Sequence, residues 1–188
     1  MKSNSGRFFE DFEVGEVITH ATPRTISEGD RSLYIAIYSS RYSTYSSSLF
    51  AKDLGFENFP IEDLLVFHIV FGKTVSDISL NAVANLGYAE VKFLRPVYSG
   101  DTIYAESEVI GLKENSNGKT GIVYVKTKGF NQENEVIIEY IRWVMVKKHK
   151  QGASGSNPTV PNFKKYLQGS EVPVISGLMF DKFDYIFS

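Results

Sequence analysis

Three groups of residues in this chain have types and spacings that could do chemistry. Glu62, Asp63 and His68 place two carboxylates and an imidazole within a short stretch, the kind of set that moves protons near neutral pH. The run Ser39-Ser40-Arg41-Tyr42-Ser43-Thr44-Tyr45 is a polar stretch where an enzyme could place functional groups or simply end a helix. A serine hydroxyl does not ionise usefully at that pH, and a tyrosine near pKa 10 would need a large downward shift to serve as a base. Arg41, Lys92, Arg95 and Lys119 carry cations suited to phosphate recognition. Each group has a plainer reading. Polar loops are common, basic side chains are usually just solvated, and a lone histidine among Leu, Phe and Val is more often a hydrogen-bonded core residue.

The elements that would position these residues follow from patterning. The span 60–75 reads as a central buried helix: Pro60 fits a first-turn position, Glu62 and Asp63 suit the positive end of the helix dipole, and Leu64, Leu65, Phe67, His68, Phe71 and Val75 mostly follow three-four spacing. So apolar a helix needs cover on most sides. Before it, Phe8 to His20 suggests an opening strand pinned by aromatic packing, and Ser27 offers an N-cap for a helix ending near Tyr38. The segment 39–48, with six serines, reads as a polar loop.

Four strands are expected after the central helix, over 84–93, 102–112, 121–131 and 135–147. They are rich in β-branched and aromatic residues and separated by turn signals such as Asn117-Gly118. Alternation puts Ile137 and Ile141 on the mixed outer face, as candidates for pairing with a second domain. An antiparallel sheet following a single apolar helix most simply wraps it, an α+β arrangement with one shared core. That is the hotdog fold, predicted over residues 1–149, with a flexible Gly-Ser-Pro linker and an apolar C-terminal segment over 150–188. Val174, Ile175, Leu178, Met179, Phe180, Phe183, Tyr185, Ile186 and Phe187 make that segment too apolar for a disordered tail.

Composition narrows the function classes. The 188 residues carry a net charge of −2, which gives no electrostatic reason to expect nucleic acid. No apolar run approaches the ~20 residues needed to span a bilayer, and the N-terminal residues lack the apolar core of a signal peptide, so the expected location is the cytoplasm, without membrane contact. There are no cysteines, and His20, His68 and His149 are scattered, so no metal site is expected.

The segments RFFEDFEVGEVITH, RTISEGD, RPVYSGDTIYAESEVIG and EVIIEYIRWVMVKK resemble the MaoC-like dehydratases, and the runs NAVANLGYAEVKF and LKENSNGKTG are similar to the mesaconyl-CoA hydratase (β-methylmalyl-CoA dehydratase) branch of that family. The resemblance runs from about Gly6 to Lys148 and implies a hydro-lyase acting on a short branched enoyl-CoA thioester, with no cofactor beyond the coenzyme A of the substrate. Hydratases of the family carry an Asp/His dyad in a motif of the form Gly-Asp-x-Asn-Pro-aliphatic-His. Aligned by Phe50-Ala51-Lys52, the aspartate falls on Ser40 and the histidine on Tyr45, so both dyad positions are substituted. Ser40 and Tyr45 remain the family's catalytic positions, His68 is the alternative base, and Arg41, Asp63 and Arg95 are the candidate substrate contacts. The branch resembles a tandem of hotdogs with one dyad-free half, which this chain is similar to. The implied partner is a second hotdog domain, as a homodimer or as a dyad-bearing half. Two other readings stay open: a noncatalytic CoA-ester binding or scaffolding domain, and a thioesterase using Glu62 or Asp63 to activate water.

Overall fold

The computed structural model describes residues 6–150, 152, 157–164 and 166–179. The elements in chain order are β1 (Val17–Thr19), β2 (Arg24–Thr25), α1 (Glu28–Tyr38), α2 (Ser43–Ser46), α3 (Ser48–Leu54), α4 (Asp63–Thr74), β3 (Ala82–Phe93), β4 (Thr102–Glu114), β5 (Thr120–Phe130) and β6 (Val136–Lys147). The main sheet runs β1-β4-β5-β6-β3, with β2 paired to β4, and every pairing is antiparallel. Helix α4 lies against one face, which makes the architecture the α+β hotdog expected from the patterning.

Local chemistry explains the boundaries. Ser27 Oγ accepts from the Asp30 N–H at 3.1 Å while the Asp30 carboxylate accepts from the Ser27 N–H at 2.9 Å, a reciprocal cap that starts α1. The serine-rich run is not simply a loop: it holds α2 and the start of α3, because Ser47 Oγ accepts from the Phe50 N–H at 3.2 Å and caps α3. The opening segment is mostly irregular, with a 3₁₀ turn over Phe9–Asp11 and only Val17–Thr19 in the sheet. The central helix begins at Asp63 with Glu62 as N-cap, and a π-helical turn over Val75–Ser79 follows it. Pro60 therefore precedes the helix, two residues before its cap, instead of sitting in its first turn.

Strand β4 alternates buried and partly exposed residues from Ile103 to Val109. Its inward residues meet Leu65, Val66, Ile69 and Val70 of α4. Close approach depends on Gly129, where a Cβ would lie 2.7 Å from Val70. On β6, Ile137 and Ile141 are 1% and 7% exposed, so they belong to the buried interior and not to an open pairing face. Open apolar surface lies elsewhere, at Leu33, Ile37 and Tyr38 of α1, Leu64 of α4, Leu80, and Val83 and Leu86 of β3. Helix α4 is covered on most sides, with one open stripe where Leu64, His68 and Gly72 lie one above another in solvent.

The C-terminal segment is applied to the domain. Thr159 bridges Leu112 of β4, Phe163 stacks on Trp143 at 4.8 Å between ring centroids, and the Met179 N–H donates to the Leu54 carbonyl at 2.8 Å. Phe180, Phe183, Tyr185, Ile186 and Phe187 lie outside the described residues.

Candidate active site

The first turn of α4 gathers the residues with the most unusual environments. Tyr45, at the end of α2, reaches across to Asp63, the first residue of α4. Its hydroxyl faces the carboxylate and the backbone N–H of Asp63, its two polar neighbours at the start of the helix. Burial, then the neighbouring Asp63 charge, push the tyrosine hydroxyl well above its ordinary range. Burial also raises the Asp63 carboxyl, Glu62 adds to the rise, and the Tyr45 hydrogen bond opposes both. Glu62 is 7% exposed, and its Oε2 has no hydrogen-bond partner among the described residues. Tyr34, buried on α1, feels the Glu62 charge as well, although burial is the main cause of its raised pKa.

Other sequence candidates fall around this point or away from it. Ser40 Oγ is buried without a hydrogen-bond partner among the described residues, so it does not present a hydroxyl to solvent. Arg41 is exposed. His68 is exposed on the outer stripe of α4, not enclosed in the core, with Nδ1 3.4 Å from the Tyr34 hydroxyl. Asp63, Lys92 and Arg95 line one cavity of about 170 Å³ together with Val91 and Phe93 of β3 and residues of the C-terminal segment. Lys119 belongs to the β4–β5 turn, where its carbonyl accepts from Lys148 just beyond the end of β6, whereas Arg95 pairs with Glu135 just before β6 begins. Lys119 and Arg95 are therefore at opposite ends of the sheet.

A second constellation was invisible in the sequence. His20 Nδ1 lies 2.8 Å from Asp77 Oδ2, His20 Nε2 lies 2.8 Å from Ser107 Oγ, and Ser107 Oγ lies 2.8 Å from Thr127 Oγ1. The Asp-His-Ser order has the connectivity of a nucleophile with its base. Ser107 is 0% exposed, however, so no substrate carbonyl can reach it. Burial lowers the His20 pKa, against the pull of Asp77. Beside it the buried Arg142 holds its guanidinium 4.9 Å from the Phe71 ring centroid. Ser107 of β4 and Arg142 of β6 fall between residues of two separate apolar clusters, which makes this a polar belt across the core. Only contacts far apart in sequence assemble it, and no local spacing signals it. Among the described residues no three His, Asp or Glu side chains gather as a metal site.

A six-stranded antiparallel sheet carrying α4 on one face defines a hotdog domain. Residues 2–173 match the family model described as mesaconyl-CoA hydratase. The chain is 53% identical over 184 residues to a mesaconyl-CoA hydratase of Cereibacter sphaeroides, covering 98% of this chain and 54% of that protein. It is 58% identical over 173 residues to a β-methylmalyl-CoA dehydratase of Chloroflexus aurantiacus, covering 92% and 49%. A solved MaoC domain protein dehydratase from Chloroflexus aurantiacus superposes with a TM-score of 0.89 at 53% identity, over 94% of this chain and 51% of that one. The chain belongs to the mesaconyl-CoA hydratase family, within the MaoC-like dehydratases. It spans about half the length of the curated relatives it matches.

Proposed function

We propose that residues 1–149 form the dyad-free hotdog half of a cytoplasmic hydro-lyase that adds or removes water across a short branched enoyl-CoA such as mesaconyl-CoA, with 150–188 as the connecting segment. The observation that carries this reading is the Tyr45–Asp63 contact. Hydration of an enoyl thioester needs one group to take a proton from the attacking water and another to deliver a proton to the α-carbon. A hydroxyl that burial and the neighbouring Asp63 carboxylate push above its ordinary range is unsuited to the first role and poorly matched to the second. With Ser40 buried, the two family dyad positions carry structure in this half and not proton transfer.

The dyad then comes from a second hotdog domain. Open apolar residues on α1 and β3, and the uncovered stripe of α4, support a large partner surface here. Coenzyme A enters only as part of the substrate.

Loss of enoyl-thioester absorbance tests the reading. The chain alone with mesaconyl-CoA is expected to give no turnover, while mixing it with a chain carrying an intact dyad restores turnover. Turnover by this chain alone, abolished by Tyr45→Phe, sinks the proposal. Binding of the thioester with no restored turnover turns the assignment to a noncatalytic binder. Release of free coenzyme A, lost on Asp63→Asn, turns it to a thioesterase.

A further inference from the structure

A second cavity opens near the far end of α4, on the side of β2. It measures about 400 Å³, and its lining includes Thr22 and Arg24 at the start of β2 and His68, Gly72 and Lys73 of α4. Strand β2 pairs with β4, whereas the Asp63 cavity lies against β3 at the other edge of the sheet, so the two cavities are distinct.

We propose that this cavity binds a phosphate dianion through Lys73 and Arg24, with His68 as a further hydrogen-bond group and Gly72 leaving room for the organic part of a phosphate ester. The inference goes beyond the hydro-lyase reading and does not depend on it.

Charge is the first support. A lysine, an arginine and an imidazole line the cavity, and no Asp or Glu is among its described lining residues, although the chain as a whole carries −2. Lys73 and Arg24 repel each other: after burial, the Arg24 charge lowers the Lys73 pKa. An anion held by both offsets that repulsion. The carbonyl end of the helix, which would oppose an anion, lies further on, because the chain continues past Lys73 through the π-helical turn over Val75–Ser79.

Positioning is the second support. The Lys73 ammonium donates to the Thr22 carbonyl, which fixes it and leaves its other N–H groups for a ligand. Thr22 sits at φ 66°, a left-handed conformation that a β-branched residue rarely adopts, and strain of this kind gathers at functional sites. Arg24 Nη2 lies 2.5 Å from Asp30 Oδ1, which leaves most of a planar fork that matches phosphate geometry. Asp30 also accepts from the Ser27 N–H at 2.9 Å and the Ser27 hydroxyl at 2.8 Å, so its charge is already divided between the α1 cap and Arg24. His68 Nδ1 faces the Tyr34 hydroxyl at 3.4 Å, so Nε2 is the nitrogen left for a ligand.

Gly72 is the third. It is exposed in the interior of a helix, where only proline is less favourable, and a Cβ there would meet nothing within 4 Å. No packing calls for a glycine; what it preserves is the open floor of the cavity, one turn from His68.

Two sources carry this chemistry, a free phosphate ester and the phosphates of coenzyme A. Calorimetric titration of the whole chain with inorganic phosphate, ADP, coenzyme A and, as the uncharged control, adenosine separates them, repeated on Lys73→Gln, Lys73→Arg, Arg24→Gln, Gly72→Leu and Lys119→Gln. ADP is expected to bind and adenosine not to. Lys73→Gln and Arg24→Gln each weaken ADP about tenfold, the scale of one charge-assisted hydrogen bond, while Lys73→Arg and the distant Lys119→Gln leave it unchanged. Gly72→Leu, which favours the helix, keeps inorganic phosphate and loses ADP. Coenzyme A binding tighter than ADP, with the excess lost in Lys73→Gln and Arg24→Gln, assigns the phosphate to the coenzyme; ADP binding at least as tightly assigns it to a free ester. The site is overturned if no phosphate binds, if adenosine binds as tightly as ADP, or if neither Lys73→Gln nor Arg24→Gln changes the ADP affinity. An ADP affinity untouched by Gly72→Leu overturns the role of the glycine. None of these results touches the hydro-lyase reading, which turnover tests.

Discussion

Two polar regions of this domain are built from the same kinds of residue and come out differently. In the core belt, Asp77, His20, Ser107 and Thr127 are joined at 2.8 Å spacings around a serine with no exposed surface. At the α4 N-terminus, Tyr45 and Asp63 are joined to each other, Glu62 keeps an oxygen without a partner among the described residues, and a cavity opens beside Asp63. The belt has the connectivity of an active site and no access. The helix end has access and an incomplete set of groups. Connectivity of polar residues is therefore a poor guide to chemistry here; an open path to solvent is the better one.

The largest effect should come from breaking the belt. His20→Ala leaves the buried Ser107 and the part-exposed Asp77 without their shared partner and creates a cavity, a loss of about 2–4 kcal/mol. Denaturant unfolding measures it, with thioester binding by the folded fraction expected to persist. A stable variant that has lost ligand binding would reverse the roles assigned to the two regions.

Much of the fold was legible because local chemistry encodes it. Ser27 and Asp30 announce α1, and β-branched and aromatic runs separated by turn signals such as Asn117-Gly118 give all four long strands to within about two residues at each end. The misses have physical causes. Serine is a poor helix former but a good cap, so 39–48 hid two short helices. Pro60 fits a helix start by propensity, yet Ile61 goes to the core and its N–H donates to the Val97 carbonyl at 2.7 Å, so the chain is still extended there. Ile137 and Ile141 alternate correctly but are covered, which period alone cannot reveal. The site was half legible. Tyr45 and Asp63 could be singled out by type, but their meeting depends on how α2 and α3 fold back on α4, and the belt draws on four separate segments.

An intermediate effect should follow from Tyr45→Phe, which keeps the ring and deletes the hydroxyl. It should cost about 1 kcal/mol, the usual worth of one hydrogen bond. Because that hydroxyl opposes the rise of the Asp63 pKa, its removal should move the Asp63 titration further upward, read by carboxyl carbon chemical shifts against pH. A downward movement would mean that Tyr45 does not donate to Asp63, and the helix end would lose the contact that sets it apart from the belt.

The smallest effect is the sharpest, because the two regions should respond to acid with opposite signs. His20 has a folded-state pKa below its ordinary value near 6.5, so the unfolded chain binds more protons in that range; its contribution is present in full above about pH 6.5 and is lost as pH falls through the displaced folded value. Asp63 has a folded-state pKa above its ordinary 3.8, so the folded chain binds more protons there; its burial costs stability above that raised value, and the cost is relieved as pH falls toward 3.8. Unfolding free energies between about pH 4 and 7 for the wild type, His20→Gln and Asp63→Asn separate the two. The difference between wild type and His20→Gln should grow with rising pH, and that between wild type and Asp63→Asn should shrink. One unit of displacement corresponds to about 1.4 kcal/mol, which bounds the scale of either slope. Slopes of the same sign would show that the belt and the helix end are electrostatically alike, and would leave access alone to distinguish them.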